Sequence, residues 1–311
     1  MSRGLALSVT ISGVGRLYGR NLLGLVELAR MADDLGLDQL VMADHLAIGP
    51  RTDRYPYGRF PFAADEPWPE PLTTLAAMAA VTKHVRLGTG VLIAPLRPPL
   101  QLAKSVATLD VLSGGRLDLG VGVGWQPEEF CGSGSEFEAR WARLDDTLRA
   151  CRVLWRDSPA SFSCERFHFE ELWCEPRPQQ EGGVPIWLGV AATERGVRRM
   201  VELGDGWMPL ETDLEALGAA VGRIHQALLA AGRDPDAFGV RVAAPLVLDA
   251  DRRPELEGTL EGLAALEAAG ATVASFALAA FCRHRDEVRP FLERLASERG
   301  RLERSSEKAA P

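Results

Sequence analysis

The sequence has no Cys-x-x-Cys pair. Its five cysteines, Cys131, Cys151, Cys164, Cys174 and Cys282, are odd in number and loosely spaced. That pattern fits reduced thiols and argues against a disulfide framework or a zinc site. Long apolar runs are missing too. No stretch approaches the roughly eighteen residues of a membrane-spanning helix, and the N-terminal MSRGLALSVT lacks an apolar run of signal-peptide length. There is also no basic excess: 35 Lys and Arg stand against 43 Asp and Glu, a formal net charge of −8. An acidic balance argues against nucleic acid or an anionic membrane as partner, while leaving room for a local basic pocket. The expected setting is the cytoplasm, and the expected ligand is a small organic molecule.

What is present is alternation. Eight β-rich runs are separated by segments of helical period: 5–10, 39–43, 85–93, 116–123, 184–190, 206–210, 239–248 and 272–278. The stripe Leu22, Leu25, Val26, Ala29, Ala32 predicts a helix before the second strand. Similar stripes predict helices after Pro98-Pro99, over 144–155, over 214–228, and over 256–267 ending at Gly270. Strands that alternate with helices form a parallel sheet, and eight is the number that closes a (β/α)8 TIM barrel. The chain of 311 residues suits one such domain over residues 1–300, with 301–311 expected as a disordered polar tail. Two stretches break the alternation, 48–71 and 158–183. Both are expected to be long irregular loops at the barrel mouth.

In such barrels the chemistry sits at the C-terminal ends of the strands. The second strand ends in Asp44-His45. A histidine can relay a proton near neutral pH, and a neighbouring carboxylate can orient it. Taken alone, the pair also fits a cap beside a structural histidine. The third strand carries Gly88-Thr89-Gly90 and the fourth Gly120-Val121-Gly122-Val123-Gly124-Trp125. Runs of glycine in buried strands mean that some body approaches the backbone closely, either a flat cofactor or the barrel's own packing. The fifth strand leads through Gly189-Val190-Ala191-Ala192-Thr193 into a helix, a place for a phosphate or for an ordinary threonine cap.

These segments together resemble a known family. VRLGTGVLIAPLRPPLQLAKSVATLDVLSGGRLDLGVGVGWQPEEF, from Val85 to Phe130, is similar to the signature region of the bacterial luciferase-like superfamily. LGLDQLVMADH, from Leu35 to His45, and PIWLGVAATERGVRRMVELGDGWMP, from Pro185 to Pro209, resemble its other blocks. The shape of Tyr55–Gly58 and of Glu175–Gln180 is similar to the branch that depends on the deazaflavin coenzyme F420. The resemblance runs in order over about residues 5 to 240 and implies a luciferase-like TIM barrel. It implies that His45 faces the reactive side of the cofactor ring and that Asp44 contacts the cofactor or steadies His45. Gly90 and Val91 match a pair joined by a non-prolyl cis peptide behind the ring. Trp125 and Glu128 match positions along the cofactor edge, and Gly189, Val190, Ala191, Ala192 and Thr193 match the phosphate-binding turn. That turn departs from the family's Gly-Gly-hydroxyl pattern, which puts phosphate affinity in question.

The expected function is that of an oxidoreductase moving a hydride between coenzyme F420 and an organic substrate. Two alternatives stay open: a monooxygenase that uses reduced FMN and oxygen, and a barrel that binds cofactor without turnover. Tyr55, Tyr57, Phe60, Phe62 and Trp68 in the first long loop predict an apolar, aromatic substrate pocket. A homodimer is the expected assembly.

Overall fold

The structure, a computed structural model, describes residues 4–210 and 213–309. In chain order the strands are β1 Ala6–Ile11, β2 Gln39–Met42, β3 Arg86–Thr89, β4 Leu92–Ile93, β5 Leu117–Gly122, β6 Ala160–Ser163, β7 His168–Leu172, β8 Ile186–Leu188, β9 Gly206–Trp207, β10 Gly239–Ala243, β11 Val247–Leu248, β12 Pro254–Glu255 and β13 Val273–Ala277. The helices are α1 Gly15–Tyr18, α2 Leu23–Asp34, α3 Pro71–Ala79, α4 Pro99–Ser113, α5 Pro127–Gly132, α6 Arg140–Arg156, α7 Glu194–Leu203, α8 Leu214–Ala230, α9 Leu256–Glu261, α10 Leu263–Ala268, α11 Leu278–Phe281 and α12 Val288–Ala309. Around the main sheet the order is β3-β2-β1-β13-β10-β9-β8-β5-β4, all parallel, and β3 also pairs with β5. Because β3 and β4 occupy one position, the sheet is a closed barrel of eight strands. Among the described residues no helix is long and apolar enough to cross a membrane.

Local sequence explains the elements. In α2 the residues Leu25, Leu28, Ala29 and Ala32 recur at helical spacing and are buried. α4 opens with Pro99 at its first position and stops at Gly114, whose φ of 68° suits the left-handed cap. Along the strands, alternate residues such as Leu7, Val9, Leu40, Leu87, Leu119 and Val240 are at most 1% exposed and form the layer under the helices. The other alternate set points into the barrel, and there the lower half is polar. Gln39 donates to Asp118 (2.7 Å) and accepts from Arg241 (3.0 Å). Neither β5 nor β10 neighbours β2, so these bonds cross the interior. Arg86 closes the network with bonds of 2.9 and 2.6 Å to Asp118.

Several expectations change in detail. The third strand is interrupted between Thr89 and Leu92 by a cis peptide at Gly90-Val91. The run 239–248 leaves the barrel at Ala243, because Pro245 cannot continue the ladder. Val247–Leu248 pairs instead with Pro254–Glu255 in a separate antiparallel hairpin. The helix expected over 256–267 is two helices meeting at Gly262. The loop 158–183 holds a hairpin of β6 and β7, in which Phe162 lies opposite Phe169. α3 follows the first loop directly, with Glu70 accepting from Thr73 N (2.7 Å) and Pro71 at the first position. The tail expected to be disordered from 301 continues α12 as far as Ala309. Pairs one turn apart such as Arg294–Glu298 and Arg299–Glu303 favour helix there, while Ala310 and Pro311 lie outside the described residues.

Candidate active site

The strands' C-terminal ends open into a cavity of about 750 Å³. Its inner end is formed by Thr10, Val41, Gly90, Arg241, Ala243 and Ser275. One wall is the aromatic cluster anticipated from the first long loop: Tyr55, Tyr57, Phe60, Phe62 and Trp68 all line it. Trp125 from the end of β5 joins them, its ring 5.3 Å from Tyr55 and 5.4 Å from Phe60. Burial pushes the Tyr55 and Tyr57 hydroxyls above their ordinary pKa, so both stay neutral donors at physiological pH.

His45 stands in this wall, 9% exposed, with Trp68 edge-on at 4.8 Å. Its Nδ1 donates to Glu129 Oε2 at 2.9 Å. The other oxygen of Glu129 accepts from the N–H groups of Leu46 (2.8 Å) and Ala47 (3.3 Å). Glu129 is 3% exposed, so a buried carboxylate fixes both the ring and the chain that follows it. With Nδ1 occupied in this way, Nε2 is the nitrogen left for the cavity that His45 lines. Gln126 adds a clamp on the same loop, accepting from Gly49 N (2.8 Å) and donating to Gly49 O (3.2 Å).

Asp44 does not join His45, which corrects the expected catalytic pairing. Successive side chains of extended backbone point to opposite sides. Asp44 accordingly turns outward, accepting from Ile93 N (2.8 Å) and from Arg97 Nη1 (2.6 Å) and Nη2 (3.0 Å). Burial disfavours the Arg97 cation, but Asp44 and Glu70 outweigh it and hold Arg97 above its ordinary pKa. Asp44 therefore anchors the segment after the bulge.

Gly90 and Val91 line the cavity at the cis step. The glycines of the neighbouring strands make room for this bulge: a Cβ on Gly122 or on Gly189 would lie 2.7 or 2.6 Å from a Val91 methyl. Close approach by the protein's own chain thus accounts for these two glycines. Trp125 lines the cavity, but Glu128 does not. It packs beside Gly49, and its buried Oε2 has no partner. Of the turn 189–193, Gly189 reaches the cavity. Val190 is buried and its carbonyl accepts from Trp207 Nε1 (2.8 Å), while Thr193 caps α7 by accepting from Gly196 N (3.2 Å).

Sequence reasoning missed Glu129, Gln126 and Arg241. Glu129 is one residue from Glu128, and only the phase of α5 decides which acid faces His45. Arg241 is 4% exposed at the inner end and donates to Gln39 and to Thr89 O (3.1 Å). Burial pushes its pKa down to about 10, against the more distant charge of Asp118. Among the described residues no cluster of His, Cys, Asp or Glu could hold a metal ion.

A closed parallel barrel with an aromatic mouth, a carboxylate-held histidine and a cis bulge on the third strand defines a class, and comparison with known proteins agrees. The chain belongs to the luciferase-like monooxygenase family, whose pattern matches residues 1–310. It is 32% identical to the Mycobacterium tuberculosis protein Rv0953c over 228 residues, 73% of this chain and 75% of that one. It is 30% identical to the F420-dependent glucose-6-phosphate dehydrogenase of Mycolicibacterium smegmatis over 246 residues, 76% of this chain and 68% of that enzyme. Among solved structures, monooxygenase RslO1 from Streptomyces bottropensis superposes with a TM-score of 0.74 at 22% identity, covering 94% of this chain and 98% of that one. At that identity the likeness speaks for the fold.

Proposed function

We propose that this oxidoreductase is F420-dependent and transfers a hydride between the deazaflavin and a small organic substrate. The observation that carries this reading is His45, fixed by buried Glu129 in the wall of the cavity at the strands' C-terminal ends. The residues present fit a deazaflavin. The volume lies within the range of cofactor pockets. The indole N–H of Trp68 and the Nε–H of Arg140, both on lining residues, are buried donors without a partner. Such donors match a ligand rich in carbonyl and acid oxygens. The 30% identical F420-dependent relative supports the same cofactor.

A bound deazaflavin would supply a two-electron hydride carrier. The chain's own part is to hold the ring, exclude water and move a proton. The aromatic wall of Phe60, Trp68 and Trp125 would shield the reacting face. His45 Nε2 would give or take the proton that accompanies the transfer, while Glu129 holds the ring in place through Nδ1.

The test is titration of the apo chain with F420 and, separately, with FMN, followed through the fluorescence of Trp68 and Trp125. F420 should bind, and FMN should bind at least about tenfold more weakly, a difference of ~1.4 kcal/mol. The reverse order would move the chain to the flavin monooxygenase reading. Binding of neither would reject the cofactor assignment.

A further inference from the structure

The cavity has an unusual charge inventory. Among the described residues its lining carries three arginines, Arg54, Arg140 and Arg241, and no aspartate or glutamate, in a chain whose net charge is −8. Most arginines around the barrel are spoken for: Arg86 by Asp118, Arg97 by Asp44, Arg152 by Asp205, Arg199 by Asp145. The two at the mouth are not. Among the described residues the Arg54 side chain makes no hydrogen bond or close ion pair; its charge only adds to the field at Asp53, which Arg51 already holds through two bonds of 2.8 Å. Arg140 lies with its guanidinium 3.8 Å from the Phe137 ring centre and donates through Nη1 to Phe137 O (2.9 Å). Its Nε is buried without a partner, and no carboxylate pairs with it among the described residues.

We propose that Arg54 and Arg140 form an oxyanion subsite at the cavity mouth, which takes a phosphate or carboxylate group of the bound ligand. The inference rests on the preceding reading only in taking this cavity as the ligand site. A guanidinium fork is suited to two parallel bonds to such a group. Arg140 is preset for it: the Phe137 ring supports its plane, and an unmatched N–H remains. Arg241, below, adds positive potential at the inner end. The first long loop supplies one arginine and the first residue of α6 is the other, so the anion would tie the two together. The acid group belongs either to the cofactor's side chain or to the substrate, and the same chemistry serves both.

The experiment uses the apo chain with Arg54 and Arg140 both changed to Gln, and with both changed to Lys. Tryptophan fluorescence is read for two matched probe pairs: FMN against riboflavin, which lacks the phosphate, and benzoate against neutral benzamide. Melting temperatures check that the variants are folded. The wild type should prefer the anion in at least one pair. The double Gln variant should lose that preference by about 10–100-fold, as expected for charge-assisted bonds, and the double Lys variant should regain part of it. Loss confined to the FMN pair assigns the group to the cofactor, and loss confined to benzoate assigns it to the substrate. A wild type without preference in either pair, or a Gln variant that keeps it, overturns the inference. Failure of FMN, riboflavin and F420 alike to bind the wild type would reject the cofactor reading alone, and the benzoate pair would still decide this one.

Discussion

At the scale of single residues the decisive contact is between His45 and Glu129. If His45 moves the proton, His45→Ala should lower turnover about 10²–10⁴-fold and leave cofactor affinity nearly unchanged. Single-turnover rates and a binding titration on the same variant check both halves. An unchanged rate with intact binding would remove His45 from the chemistry. The adjacent acids give a sharper contrast. Glu129→Ala would strand the N–H groups of Leu46 and Ala47 as well as the imidazole. It should lower stability by about 1–3 kcal/mol and also slow turnover. Glu128 has a buried oxygen without a partner, so Glu128→Ala should disturb neither. Urea unfolding and turnover of the two variants side by side provide the comparison. Equal effects would contradict the assignment.

At the scale of elements, joints between helix and strand carry much of the specification. Asp33, at the end of α2, accepts from the N–H groups of Lys83, His84 and Val85 just before β3. Burial works against its charge, but the backbone donors outweigh that and hold Asp33 below the usual carboxylate range. Its folded-state pKa therefore lies below that of the unfolded chain. The anchor stabilises fully above about pH 4 and fades as pH falls through the folded value. Asp33→Asn should cost about 1–3 kcal/mol near neutral pH, and the gap from wild type should narrow on acidification toward pH 2. Thermal melts across that range would reveal it, and a gap constant with pH would argue against the charged anchor.

At the scale of the whole molecule, the barrel is held across its interior as well as around its wall. Gln39 is the bridge, joining Asp118 on β5 to Arg241 on β10. Gln39→Leu would leave those two charged groups short of a partner, at about 1–3 kcal/mol for each group stranded. Chemical denaturation should show this loss, while ligand affinity at the mouth changes less than stability does. A Leu variant as stable as the wild type would mean that the network is dispensable. The same floor gives Arg241 its bond to Thr89 O, next to the cis step. The cavity's inner end and the barrel's stability thus share one set of hydrogen bonds.

Much of this was legible in the sequence, because periodicity and local chemistry act over short distances. The eight strands, their alternation with helices, the aromatic mouth and the place of His45 follow from apolar spacing and from residues at strand ends. The cis step was legible only through family resemblance, since nothing local in Gly90-Val91 requires it. Sequence alone did not separate Glu128 from Glu129, because one residue of helix turns a side chain by about 100° and only the docking of α5 fixes the phase. Alternation along extended backbone sends Asp44 away from the cavity, but its partner Arg97, distant in the chain, meets it only in the folded barrel. Pairings of residues distant in the chain, Gln39 with Arg241 above all, exist only once the sheet closes. The reason is physical: periodicity determines which face of an element is buried, and closure alone determines which polar groups meet inside.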